Sequence, residues 1–138
     1  MTLQSTQLWN FLKIIRSHQT WRIIETFSGT DHCLERLALS QGYRVADVCR
    51  ALGCSSRYLY DLFVRDIGLT PKTWMKMERM VVAKRKLEGG LAPAEVAKDL
   101  GFSSLHTFRR QFHVFYQTTP MRFQSARQIF DHSSDAEL

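Results

Sequence analysis

Apolar residues recur at helical spacing in the middle of the chain. The first stripe consists of four residues, Val45, Val48, Cys49 and Leu52. Gly53 follows this stripe, and a glycine at that point supplies the left-handed conformation that ends many helices. The second stripe consists of Tyr58, Leu59, Leu62 and Phe63. Ser55 precedes it and is a favourable N-cap residue, so the pattern predicts a helix, a tight turn and a second helix.

The same pattern occurs twice in the chain. Residues 48–53 (Val-Cys-Arg-Ala-Leu-Gly) match residues 96–101 (Val-Ala-Lys-Asp-Leu-Gly), and a Ser-Ser pair follows each segment. After a one-residue insertion the match continues through further pairs, Leu59 with Phe108, Phe63 with Phe112, Thr70-Pro71 with Thr119-Pro120, and Trp74 with Phe123. An ordered repeat of this kind indicates a duplicated helix-turn-helix unit.

The second copy has its own helix start and stop signals. Pro93 suits the first position of a helix, Gly101 ends that helix, and Ser104 caps the next one. We expect the inward face of this next helix to consist of Phe108, Phe112 and Phe115. Small residues, Cys49 and Ala97, occupy equivalent positions in the two copies, which predicts that two helices approach closely there.

A longer helix is predicted between the two copies. Thr70 caps it, Pro71 begins it, and Gly89-Gly90 ends it. Its apolar stripe is broad and comprises Trp74, Met75, Met77, Met80, Val81, Ala83 and Leu87. At about 1.5 Å per residue the helix would span roughly 27 Å, similar to one turn of DNA at about 34–36 Å.

The two ends of the chain lie outside the repeat. Residues 1–30 carry apolar positions at helical spacing, Leu8, Phe11, Leu12 and Ile15, and then Trp21, Ile24 and Phe27 after a break. We therefore expect an N-terminal helical segment, which either packs on the first unit or forms a homodimer. Residues 131–138 are polar and acidic and are expected to be disordered.

These elements together predict an all-α fold. The first helix-turn-helix unit would occupy residues 31–68, and the linker helix residues 70–88. The second unit, with a C-terminal helix, would occupy residues 91–130. Each unit is expected to contain three helices.

Positive charge is concentrated in the repeated region. The chain has a formal net charge of +6, and residues 41–124 contain 14 Lys and Arg against 7 Asp and Glu. This charge favours an acidic partner, either a nucleic acid or an anionic membrane surface. No apolar run approaches the length of a membrane span, so we expect a cytoplasmic, nucleoid-associated protein with no membrane partner.

The residues that could carry metal or covalent chemistry are scattered. The three cysteines show no CxxC spacing, and none of the five histidines pairs with a cysteine at metal-ligand spacing. A cysteine-based DNA-repair activity would need an activated thiol beside a base or metal, and neither Cys33 nor Cys54 has such a neighbour in sequence. We predict no metal, no cofactor and no enzymatic activity.

Residues 45–123 resemble the DNA-binding region of the AraC/XylS family of bacterial regulators. The residues that carry the resemblance are those at 49–53 and 55–63, Gly68, Trp74, Arg79, Ala83, Leu87, Val96-Ala97, those at 100–102 and 108–112, and Thr119-Pro120. The resemblance covers about three-fifths of the chain. It implies that helices over residues 56–66 and 105–115 enter adjacent major grooves on one face of double-stranded DNA. It also implies transcriptional regulation, often through contact with RNA polymerase.

Two sets of DNA contacts are expected, and the base-facing set is transferred by position from the resemblance. The base-facing residues are Arg57, Tyr60 and Asp61 in the first unit and His106, Thr107, Arg109 and Arg110 in the second. The phosphate ligands are Ser55, Ser56, Ser104, Lys72 and Arg122. Arg57 and Arg110 are best placed for bidentate contacts with guanine. Asp61 would either accept a hydrogen bond from a cytosine amine or hold Arg57 or Arg65.

The chain also departs from the family pattern. Gln117 stands where a glycine is usual, which predicts a differently shaped loop, and Phe123-Gln124 replaces a usual Tyr-Arg pair. Arg44 and Ala92 stand at N-cap positions and weaken those helix starts by up to about 1 kcal/mol each.

Two alternative interpretations follow from these residues. One is a protein-interaction module that reuses the helix-turn-helix scaffold. Asp61 favours this interpretation, whereas Arg57, Arg109 and Arg110 argue against it. The other is the C-terminal piece of a longer, ligand-responsive regulator.

Overall fold

The computed structural model describes residues 12–127 of the chain. Three strands come first, β1 (Leu12–Ser17), β2 (Thr20–Glu25) and β3 (Asp31–Cys33). The helices in these residues are α1 (Leu34–Ser40), α2 (Val45–Leu52), α3 (Ser56–Asp66), α4 (Pro71–Glu88), α5 (Pro93–Asp99), α6 (Leu105–Tyr116) and α7 (residues 120–127). The chain divides within α4 into two compact units, one ending at Glu78 and the other beginning at Arg79. The predicted disordered tail over residues 131–138, and the apolar residues Leu8 and Phe11, lie outside the described residues.

The described part of the N-terminal segment is an antiparallel sheet in the order β1-β2-β3. The prediction of a helical segment is therefore wrong over residues 12–30, and the chain is not all-α. Ser17 lies opposite Thr20, so His18 and Gln19 form a two-residue hairpin turn. His18 adopts a left-handed conformation with φ of 56°, as the preferred two-residue hairpin turns require at their first position.

The side chains of β1 explain why this segment forms a strand. Leu12 and Ile14 are buried and Lys13 between them is exposed, which is the two-residue alternation of a sheet packed on one face. Ile14 lies opposite Ile23, and β-branched residues of this kind favour strands because they pack well on a pleated surface. Leu8 and Phe11, two positions of the predicted helical stripe, lie outside the described residues. Only the remaining positions of the stripe can be compared with the structure.

The first unit packs the sheet and α1–α3 around one apolar core. Its fully buried side chains include Ile23, Leu34, Val48, Leu59, Leu62 and Phe63. The ring of Phe63 meets Trp74 at the start of α4, with centroids 5.8 Å apart and in edge-to-face geometry. Cys49 is buried in this core, as predicted from its small size.

Side chains of α3 bind the free edge of β1. The backbone N–H of Leu12 donates to the Tyr58 hydroxyl at 3.1 Å, and that of Ile14 donates to Asp66 Oδ2 at 2.8 Å. The guanidinium of Arg65 donates to the Leu12 carbonyl at 3.3 Å. An edge strand otherwise presents unpaired backbone groups, so these bonds both satisfy the edge and fix the sheet on α3.

The second unit has a core rich in aromatic residues. Phe108 and Phe112 of α6 are fully buried and lie 5.7 Å apart in edge-to-face geometry. Ala97 is buried at the position equivalent to Cys49, as predicted. Phe115 is 41% exposed, so the prediction that it points inward is wrong. Its position, three residues after Phe112, rotates it to the edge of the apolar face, where its ring packs beside Tyr116.

Two polar side chains connect the elements of the second unit. Arg79 donates through Nε and Nη2 to the Leu100 carbonyl, at 3.0 and 2.8 Å, and its guanidinium lies 3.6 Å from the Phe102 ring centroid. Gln124 Nε2 donates to the carbonyls of Leu87 and Leu91, at 3.0 and 2.7 Å. The bonds of Arg79 satisfy the carbonyl of the residue that ends α5, and those of Gln124 tie α7 to the end of α4 and to the loop that follows it.

The helix ends follow the capping signals of the sequence. Gly53 ends α2 in the left-handed conformation, with φ of 68°. Arg44 and Ala92 make no side-chain cap, as expected from their residue types. Gln117 adopts φ of 63° at the end of α6, so this loop retains the left-handed geometry that a glycine would supply.

Candidate nucleic-acid interface

Each helix-turn-helix unit exposes one polar face of its second helix. In α3 the buried side consists of Tyr58, Leu59, Leu62 and Phe63. The residues Arg57, Tyr60 and Asp61 are exposed at positions i, i+3 and i+4, and therefore share the opposite face. All three base-facing residues predicted for the first unit thus lie together on the solvent side of α3.

The corresponding face of α6 is more basic. His106, Arg109 and Arg110 are exposed at positions i, i+3 and i+4, on the side of the helix opposite Phe108 and Phe112. His113 is exposed at i+7 and extends the same face by one turn. His113 was not among the predicted base-facing residues, although its spacing of seven residues from His106 predicts a position on the same helix face.

Serine hydroxyls cap both of these helices. Ser55 Oγ accepts the backbone N–H of Tyr58 at 3.1 Å, and Ser104 Oγ accepts that of Thr107 at 3.1 Å. The Thr107 hydroxyl lies 3.0 Å from Ser104 Oγ, which ties this half-buried residue to the helix start. A capped helix N-terminus retains further free amide groups and a positive dipole end, both of which favour a phosphate.

The charges on the two faces differ in their pairing. Arg57 Nε lies 3.3 Å from Asp61 Oδ2, so the exposed guanidinium of α3 has an acidic partner on the same face. Arg65 is paired with Asp66 at 2.8 Å. Within residues 12–127, no carboxylate forms an ion pair with Arg109 or Arg110. Among the described residues, the face of α6 therefore carries two guanidinium groups without an ion-pair partner.

An open groove of about 320 Å³ lies beside α3 in the first unit. It is lined by Val45, Ser56, Tyr60, Thr70, Pro71 and Lys72. The groove brings together two predicted phosphate ligands, Ser56 and Lys72, with the predicted base-facing residue Tyr60. The lining combines apolar side chains with Ser56 and Lys72, whose hydroxyl and ammonium groups suit the phosphate of a nucleic-acid backbone.

Arg122 lies in the second unit on α7. Its side chain is exposed, and its backbone N–H donates to Thr119 Oγ1 at 3.2 Å in the first turn of that helix. This position leaves its guanidinium accessible to a phosphate.

The thiols have no activating environment. Burial, assisted by the neighbouring Cys49, raises the pKa of Cys54 to about 12, so its thiol stays protonated at neutral pH. Cys33 Sγ donates to Glu35 Oε2 at 3.3 Å. Among residues 12–127, no group of three or more His, Cys, Asp or Glu side chains could hold a metal ion. In the same part of the chain, no helix is long and apolar enough to cross a membrane.

The sequence and fold of this chain are similar to those of known proteins. A family model described as a helix-turn-helix domain matches residues 48–126. The regulatory protein PocR of Salmonella typhimurium is 32% identical over 101 residues, which cover 72% of this chain and 33% of PocR. The C-terminal domain of the two-component response regulator yesN from Fusobacterium nucleatum has 26% identity and a TM-score of 0.58, covering 66% of this chain and 94% of that one.

A third comparison supports the fold alone. The DNA-binding domain of the global transcriptional factor AdpA, solved in complex with a target DNA, has 24% identity and a TM-score of 0.61. The match covers 68% of this chain and 88% of the AdpA domain.

The matches define the class as DNA-binding helix-turn-helix proteins. The chain belongs to the AraC/XylS family of transcriptional regulators, so the resemblance found in the sequence is confirmed. This family consists of DNA-binding regulators rather than enzymes. The chain spans about a third of the length of the first curated relatives it matches.

Proposed function

We propose that this chain regulates transcription by binding a two-part DNA site, with α3 and α6 in adjacent major grooves on one face of the duplex. The observation that carries the proposal is the repeated arrangement of a serine-capped helix whose exposed face presents polar side chains at i, i+3 and i+4. Family membership and the excess of positive charge over residues 41–124 support it.

The proposed contacts divide into base readout and backbone positioning. Arg57 and Arg110 each contact a guanine, and one such bidentate contact discriminates between bases by about 1–3 kcal/mol. Arg109, Tyr60 and His106 contact neighbouring base edges. The Thr107 hydroxyl can contact a base only by giving up its hydrogen bond with the Ser104 hydroxyl.

Phosphates bind at the rims of the two recognition faces. Ser56 and Lys72 hold one phosphate at the groove in the first unit, where their exposure leaves both groups accessible. Ser55 and Ser104 act at the helix starts and Arg122 at the start of α7. These contacts orient the protein on the duplex and carry no sequence information directly.

Selection of binding sites from a random pool of duplex DNA tests the proposal. Near physiological salt, the protein should enrich two short boxes about 10–10.5 bp apart. Arg110→Ala should relax the choice at one base of one box, whereas Lys72→Ala should weaken binding evenly across sequences. Failure to enrich any motif, with binding that disappears as salt rises, would leave only charge-driven contact and refute the proposal.

Two further partners follow from the family and the N-terminal segment. We propose RNA polymerase as a protein partner, to be tested by transcription in vitro from a promoter that carries the selected site. We also propose that residues 1–30 support a homodimer on DNA, which predicts a repeat of the whole two-box motif. A single motif and a monomeric mass in solution would contradict the dimer.

A further inference from the structure

The two recognition faces differ most at one pair of equivalent positions. The internal repeat aligns Leu59 with Phe108, and therefore Asp61 with Arg110 and Arg57 with His106. The exposed face of α3 thus combines one guanidinium with one carboxylate, whereas that of α6 carries two guanidinium groups, on Arg109 and Arg110. A carboxylate on a surface that meets DNA is unfavourable near phosphate, so its presence needs a specific role.

The geometry shows what Asp61 contacts. Its Oδ2 accepts a hydrogen bond from Arg57 Nε at 3.3 Å, one helical turn away. Arg65 is not its partner, because Arg65 donates to Asp66 at 2.8 and 3.0 Å and to the Leu12 carbonyl at 3.3 Å. The side chains of Arg57 and Asp61 are 79% and 56% exposed, so the pair stands on the recognition face and takes no part in the core.

The bond to Nε leaves the two terminal amino groups of Arg57 available. A guanine presents O6 and N7 in the major groove, and two donors of one guanidinium can bind both atoms. A long arginine side chain has many rotamers, and a second hydrogen bond on the helix restricts it before binding. The carboxylate also neutralises the guanidinium, which lowers the attraction of this face to any phosphate.

We propose that Asp61 is a positioning residue that holds Arg57 for a guanine contact and suppresses sequence-independent binding by the first unit. This inference rests on the proposed function. The proposed role of Asp61 distinguishes the two units, because α6 presents two arginines that no carboxylate of residues 12–127 pairs, whereas α3 presents one arginine held by a carboxylate. Sequence preference at the box read by α3 therefore depends on Asp61, although Asp61 touches no base.

Substitutions in the full chain separate the two effects of Asp61. Asp61→Ala removes both charge and acceptor, and should lower the preference for guanine in that box by about tenfold. Its binding to non-specific DNA should strengthen, with a log–log salt slope steeper by about 0.9, because Arg57 is then free to neutralise one more phosphate. Asp61→Asn keeps an acceptor oxygen, and should retain most of the guanine preference while showing the same steeper slope.

Asp31→Asn is a matched control. Asp31 forms an exposed ion pair with Arg22 at 2.8 Å in the same unit, its side chain is 46% exposed, and it lies on β3 rather than on a recognition helix. This variant should change neither guanine preference nor salt slope. An equal gain in non-specific binding would show that net charge alone acts, and would overturn the proposal. The thermal midpoint of both Asp61 variants should stay close to that of the parent, because the pair is exposed.

Adding Asp61→Ala to Arg57→Ala tests the positioning directly. Base preference should not change further, because Asp61 acts only through Arg57. If the double variant lost base preference beyond that of Arg57→Ala alone, Asp61 itself would contact a base, and this result would overturn the inference. If the parent protein selects a two-box site but Asp61→Ala binds like the parent, the inference fails and the proposed function stands. If the parent protein selects no site, both fail.

Discussion

Arg79 should be the polar side chain with the largest effect on the stability of the second unit. Its Nε and Nη2 donate to the Leu100 carbonyl at 3.0 and 2.8 Å, and its guanidinium stacks on Phe102 at 3.6 Å. Hydrogen bonds to charged groups contribute about 1.5–3 kcal/mol, and a half-buried cation–π contact adds about 1 kcal/mol. We therefore expect Arg79→Met to cost about 2–4 kcal/mol of unfolding free energy.

Such a loss is a large share of a typical stability of about 5–15 kcal/mol. Thermal unfolding followed by circular dichroism should show a midpoint lowered by roughly 10 °C, and urea unfolding should give the free energy. Arg79→Lys keeps the charge but loses the fork geometry, so it should fall between the parent and Arg79→Met. Lys76→Met, at an exposed position of the same helix, should change the free energy by less than about 0.5 kcal/mol. Equal stability of Arg79→Met and Lys76→Met would show that the bonds of Arg79 to Leu100 do not stabilise the second unit.

Three further substitutions test local features. Burial alone would raise the pKa of Asp66, but hydrogen bonds from Arg65 and the Ile14 amide outweigh it and hold this pKa below its ordinary value. The contribution of ionised Asp66 to folding stability is therefore present at neutral pH and lost as pH falls through the pKa of the folded state. In urea unfolding, Asp66→Asn should lower the unfolding free energy by about 1–2 kcal/mol at pH 7 and by less below about pH 4. An equal cost at both pH values would contradict this. Gln117→Gly should stabilise by about 1 kcal/mol because residue 117 has φ of 63°, and a lowered melting temperature would count against that strain. Ala92→Ser should gain about 0.5–2 kcal/mol by capping α5, and the absence of any gain in calorimetry would show that this helix start cannot accept a cap.

The helix-turn-helix units were predictable because local signals and tertiary packing agree in them. Gly53 takes the left-handed conformation, Ser55 caps α3, and the buried positions of α2 and α3 follow the helical period. The residues of α3 that are predicted to face bases could be placed on one side of the helix for the same reason. The partner of Asp61 could not be predicted, because its sequence spacing allows a contact with either Arg57 or Arg65. The structure pairs it with Arg57.

The sheet could not be recognised from the apolar spacing alone. Isoleucine pairs at residues 14–15 and 23–24 fit a helical stripe and a strand almost equally well, and short apolar runs are ambiguous in this way. The strand is selected by tertiary contacts, because Tyr58 and Asp66 bind the edge of β1. Phe115 was predicted to be buried but is exposed. An aromatic residue at the margin of a helical face can be covered or exposed, depending on the neighbouring element.

The spacing of the two DNA boxes tests the central claim most directly. Once a site has been selected, the affinity of the chain should be measured for that duplex, for a duplex with 5 bp inserted between the boxes, and for a duplex with one box. The insertion moves the second box to the opposite face of the DNA, because one turn is about 10–10.5 bp. If α3 and α6 read adjacent major grooves on one face, the insertion should reduce the affinity to that of the single-box duplex. Equal affinity for the original and expanded sites would contradict the account.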